Sequence, residues 1–144
     1  MASYFLESSI GKIANAHLTI NYHSPAVRGR IIWGGLVASN QVWVTGAHSA
    51  TSLTTDKDIT IGEEQLPAGK YALFTIPGEK EWVIIFNKNP KQWGAYSYKA
   101  TEDALRVTVK PAAAEMTETL KIDGANGKVT IRWEKLAVAF NVAQ

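Results

Sequence analysis

Residues 120–142 read LKIDGANGKVTIRWEKLAVAFNV, and their spacing decides the fold class. Leu120 and Ile122 alternate with Lys121 and Asp123. Val129, Ile131 and Trp133 alternate with Thr130, Arg132 and Glu134, and Leu136, Val138, Phe140 and Val142 continue as a further stripe. A period of two puts every second side chain on one face, which is the mark of a half-buried antiparallel strand. Gly124-Ala125-Asn126-Gly127 between the first two stripes supplies residues that tolerate a left-handed backbone, so the chain reverses there.

The same punctuation recurs upstream. His17 to Tyr22 alternates Leu18, Ile20 and Tyr22 against Thr19 and Asn21, and Ala104 to Lys110 sets Leu105, Val107 and Val109 against polar neighbours. Pro67-Ala68-Gly69 leads into a strand from Lys70 to Ile76. Pro77-Gly78-Glu79-Lys80 then turns it into Glu81 to Asn87. Ala112 to Met116 has room for a helical turn, and no stretch carries a convincing 3.6-residue period. The expected fold is all-β, an antiparallel β-sandwich (jelly-roll-like) of roughly 8–10 short strands with little or no helix. The chain reads as a single domain over 1–144, with 1–16 an irregular N-terminal segment. In Tyr71 to Ile76 and Trp82 to Phe86 both strand faces are apolar, so a covering loop is expected outside them, with a second subunit as the alternative.

A chain of 144 residues can bury a core without staples. With no cysteine, disulfides, thiolate metal sites and a cysteine nucleophile are excluded. The net charge of +2 comes from basic residues spread along the chain, without the concentrated stripe of a nucleic-acid binder, so no nucleic-acid partner is expected. No apolar run approaches the roughly 20 residues of a membrane-spanning helix. Met1-Ala2-Ser3 lacks the charged and apolar regions of a signal peptide, leaving a cytoplasmic protein or one whose leader has been replaced.

The standard catalytic signatures are missing: no phosphate-cradling glycine loop, no His-Glu-x-x-His helix and no Gly-x-Ser-x-Gly elbow. Asp56-Lys57-Asp58 begins like a calcium loop, but Thr60 and Ile61 break the pattern. His17 and His23 share a strand face roughly 20 Å apart and cannot bind one ion together. A metal is therefore not expected, and the weak alternative is His48 with His23 or His17. No cofactor is expected. The richer constellation is aromatic and polar: Arg28-Gly29-Arg30, Trp33-Gly34-Gly35, Trp43-Val44-Thr45-Gly46-Ala47-His48 and Trp93-Gly94-Ala95-Tyr96. The expected binding surface is Arg28, Arg30, Trp33, Trp43, Thr45, His48, Trp93 and Tyr96. In it Trp33 and Trp93 stack against a ligand, the arginines hold an anionic group and His48 makes a hydrogen bond. The competing reading makes these tryptophans core and pairs the arginines with Glu102 or Asp103.

These residues also carry a resemblance. Tyr22 through Pro25, Val27-Arg28-Gly29-Arg30, Trp33-Gly34-Gly35-Leu36-Val37, Val42-Trp43, Thr45-Gly46-Ala47, Leu66 through Tyr71, Leu73 through Pro77 and Trp93-Gly94-Ala95-Tyr96 resemble the bacterial family called domain of unknown function 2911. The resemblance implies an all-β, exported protein, periplasmic or extracellular, with its leader absent from this sequence. The family usually has Arg between the Trp and Thr, and Asn-Glu after Gly-Ala. Here those places hold Val44, His48 and Ser49, which suggests the joint loss of a charged pair. The leading functional expectation is a non-catalytic domain, monomer or homodimer, that binds a small molecule or saccharide. The alternatives are an enzyme with a His48-centred or metal-assisted site, and an interaction module using the apolar 71–86 hairpin.

Overall fold

The computed structural model describes residues 5–13, 16–47, 49–92, 95 and 97–144, the first of these segments as backbone. They form two antiparallel sheets. The larger is built from β1 (Phe5–Ile13), β2 (Ala16–Ser24), β3 (Thr51–Thr55), β6 (Gly69–Pro77), β7 (Trp82–Asn87) and β8 (Asp103–Val109), side by side in that order. The smaller has the order β5-β4-β10-β9, from β4 (Ile59–Ile61), β5 (Glu64–Leu66), β9 (Ala112–Ala125) and β10 (Lys128–Ala143). The all-β sandwich expected from the alternation is what forms. Two details differ. Phe5–Ile13 is a regular edge strand paired with β2, not an irregular segment, and Ala112 to Met116 extends β9 where a helical turn was expected.

The inward faces follow the sequence stripes. Leu18, Ile20 and Tyr22 of β2, Leu73 of β6 and Trp82, Ile84 and Phe86 of β7 are buried against Ile122 of β9 and Val129, Ile131, Val138, Phe140 and Val142 of β10. The Phe86 and Phe140 rings meet edge to face across the two sheets, centroids 5.5 Å apart. Fully burying aliphatic or phenyl side chains of this kind contributes roughly 1.5–3 kcal/mol apiece.

The last two stripes belong to one strand. Inward residues are odd-numbered up to Trp133 and even-numbered from Leu136, so one residue must be absorbed between them. Glu134 does this at a bulge: its φ is 57° and the β9–β10 register shifts on either side of it. At the other end, Asn126 and Gly127 both have positive φ, the two-residue turn that suits the strand twist of a hairpin.

The outward side of the β6–β7 hairpin is covered by loop, as its doubly apolar sequence requires. Ala72, Phe74 and Ile85 are fully buried with Val44, and Val42, Ala50, Ala95 and Tyr98 pack over them. Tyr98 sets its ring edge-on to Phe74 at 5.1 Å. A polar network pins the loop that carries it. Buried Asn87 donates to the Asp103 carboxylate and the Lys99 carbonyl, and the other Asp103 oxygen accepts from Tyr98 and Arg106. Much of the hairpin's outward face is therefore covered within the chain.

Candidate functional site

Between β2 and the 51–55 strand the chain makes two excursions, and these build the site. In the first, Val27 to Arg30 is a tight turn: Arg28 and Gly29 both have positive φ and the Arg30 N–H donates to the Val27 carbonyl. Glu118 of β9 holds it from outside, accepting the Val27 N–H on its carbonyl and the Arg28 N–H on its carboxylate. The Arg30 guanidinium folds back onto the carbonyls of Val27 and Ala26. Among the described residues the Arg28 guanidinium has no hydrogen-bond or ion-pair partner, and neither arginine pairs with Glu102 or Asp103. Asp103 is taken by Arg106 at 2.8 Å.

In the second excursion, Trp43 bridges Thr75 by two backbone hydrogen bonds and extends the sheet beyond the end of β3. Thr45 then enters the left-handed region at φ 60°, an outlier for a β-branched residue. It is held there by burial, by its hydroxyl against that of Thr75 and by the Thr51 hydroxyl, which donates to its carbonyl. Gly46 follows because a Cβ there would meet the His23 carbonyl at 2.8 Å.

The two excursions and Trp133 enclose a cavity of about 300 Å³. Trp43 and Trp133 are its aromatic surface, with rings 13° from parallel and centroids 6.0 Å apart. The Trp133 ring is anchored by its N–H, which donates to the Glu118 carbonyl. Leu36 and Val37 add aliphatic wall, Gly46 and Ala47 a backbone wall, and among the described residues Arg28 and Arg30 supply its charge, both positive. Trp33 meets Trp43, Trp82 and Trp133 edge to face at 5.2–5.9 Å. It thus divides this cavity from a second one of about 290 Å³ that Trp33, Trp82 and Glu79 line.

Of the expected surface, Arg28, Arg30 and Trp43 come together at the first cavity. Trp33 lies behind it in the indole cluster, and its buried N–H has no hydrogen-bond partner among the described residues. Thr45 is wholly buried, its hydroxyl used within the fold, so it shapes the wall and does not face a ligand. His48, Trp93 and Tyr96 lie outside the described residues, although Ala47, in the wall, is the neighbour of His48. Of the histidines considered for metal, His17 instead pairs with Asp56 at 3.2 Å, and no metal-holding cluster occurs among the described residues.

A family model of proteins of unknown function, DUF2911, matches residues 6–142. The chain belongs to that family. No curated protein and no solved structure matches it. Within this DUF2911 chain, the Thr51 N–H donates to the Val44 carbonyl, closing a loop from 44 to 51 that also contains Ser49. Val44 itself is buried against Phe74 and Ile85, surroundings that would leave a lone arginine without solvent.

Sequence reasoning missed Trp133, Leu36 and Glu118 as parts of the site. Trp133 looked like one more core residue in a stripe. Its distinction is that the stripe changes parity immediately after it.

Proposed function

We propose that this chain is a non-catalytic, exported ligand-binding domain, and that the cavity behind the Arg28–Arg30 turn takes a small molecule with an apolar or aromatic body and an anionic group. One observation carries this reading. Among the described residues, five non-glycine residues have positive φ; Asn40 and Asn126 are turn asparagines, and the other three, Arg28, Thr45 and Glu134, all line or adjoin the cavity wall. Each such conformation costs about 1–3 kcal/mol and persists where the surroundings over-determine it, which happens most at binding and catalytic sites. The chemistry of the wall supplies the ligand class. Indole faces favour a planar or aliphatic body, and an unpaired guanidinium beside them favours a carboxylate or phosphate.

Tryptophan fluorescence, titrated with aryl carboxylates, uronic acids, sugar phosphates and neutral saccharides, tests this directly. An anionic member of the panel should bind, shift emission and raise the unfolding midpoint by about 6–10 °C at one hundred times its dissociation constant. Arg28→Ala should weaken it about 10- to 150-fold, the range for a hydrogen bond to a charged group. Binding that survives Arg28→Ala and Arg30→Ala together, or a preference for neutral saccharides, would overturn the anion assignment.

A further inference from the structure

Three large apolar side chains are exposed among the described residues, and two of them, Ile31 at 78% and Leu36 at 52%, stand on one loop. The loop is rigid. The Leu36 N–H donates to the Ile31 carbonyl, the Gly35 and Val37 N–H groups to the Ile32 carbonyl, and the Gly34 N–H to the Val37 carbonyl. Gly35 is obligatory, since a Cβ there would lie 2.4 Å from the Ile31 carbonyl oxygen. Ile32 and Val37, the neighbours of the exposed pair, are buried and tie the loop to the core. The fold thus holds two aliphatic side chains out into water on a preorganised scaffold, beside the exposed Arg28 and Arg30.

We infer that this loop docks the chain on an anionic lipid surface, with Ile31 and Leu36 entering the acyl boundary and the two arginines meeting the headgroups. The size of the patch selects the partner. Two side chains fall far short of the roughly 800 Å² that each partner buries in a stable protein interface. A bilayer needs no complementary shape and accepts a few protruding aliphatic groups when basic residues flank them. Rigidity helps, because no loop has to be ordered on contact. The docking surface shares Arg28, Arg30 and Leu36 with the cavity proposed above, and Ile31, which does not line the cavity, is the residue that separates the two in a test.

Flotation of the full chain with vesicles tests it, using phosphatidylcholine alone and phosphatidylcholine with one-third phosphatidylglycerol. The chain should float with the anionic vesicles and much less with the neutral ones. Ile31→Asp should cut that partition about tenfold or more while leaving the unfolding midpoint unchanged, since Ile31 is exposed in the fold and the change removes one lipid-inserting aliphatic group and adds a repelled charge. Arg28→Ala and Arg30→Ala should each cost about fivefold. Failure to float with anionic vesicles, or flotation that Ile31→Asp does not reduce, overturns the inference. So does a dimer in lipid-free solution that Ile31→Asp dissociates, which would show a second copy covering the loop.

Discussion

Trp43 and Trp133 come from different sheets and lie almost parallel, 13° apart with ring centroids 6.0 Å from each other. Trp43 is placed by its backbone ladder to Thr75, and Trp133 by the hydrogen bond from its indole to Glu118. The stack therefore joins the sheets at the cavity, and aromatic pairs of this kind add about 0.5–1.5 kcal/mol beyond burial. Trp43→Ala removes the stack and the edges Trp43 presents to Trp33 and Trp82. Trp43 is only part-buried, so the expected loss is about 2–3 kcal/mol, below the range for a fully buried tryptophan, read by urea unfolding. A loss under 0.5 kcal/mol would mean the cluster does not join the sheets.

The bulge at Glu134 makes a sharper prediction, because two substitutions should move stability in opposite directions. Glycine relieves the left-handed strain and valine worsens it. Glu134→Gly should match or exceed the parent by up to about 1 kcal/mol, while Glu134→Val should lose about 1–2 kcal/mol. If the two variants unfold at the same urea concentration, the positive φ at 134 is not what lets one strand carry both stripes.

Much of this architecture could be read before any coordinates, because a two-residue period is a direct image of a strand with one face buried. Residues 18–22 and 129–142 show it plainly, and the both-faces-apolar pattern of 71–86 correctly demanded a covering loop. The site was less legible for a physical reason. Arg28 and Trp43 advertise themselves in glycine-rich loops, but Thr45 has an ordinary composition and an extraordinary conformation, and no local pattern reveals φ. Trp133 is hidden in a strand, and its role depends on which element lies across from it, a matter of long-range pairing. Glu118 acts through its backbone carbonyl, which every residue possesses.

The relationship between positions 44 and 49 can be tested by placing there the charged pair that the family resemblance implies. Val44 is 8% exposed in an apolar cluster. Val44→Arg alone should lose about 3 kcal/mol or more, the scale for an unpaired buried charge. Adding Ser49→Glu should recover a measurable part of that loss, and Ser49→Glu alone, at a part-buried position, should cost less. The coupling energy from the four urea curves decides it. Additive losses would show that the two positions do not face each other, whatever their closeness in the loop.

At the opposite end of β2, acid should act through Asp56. The His17 backbone N–H donates to one carboxylate oxygen at 2.7 Å, and this hydrogen bond is the main cause holding the Asp56 carboxyl below its ordinary value; desolvation opposes it, and the His17 ring and Lys57 add to the lowering. A carboxyl lowered on folding stabilises the fold above the unfolded-state value near 3.8 and gives up that stability as pH falls through the lowered folded value. Asp56→Asn keeps an acceptor for the His17 N–H but cannot titrate. Its unfolding midpoint should therefore fall less steeply than the parent's as pH drops below about 4, with the two curves parallel above pH 5. Parallel curves through the acid range as well would show that Asp56 does not set the acid sensitivity.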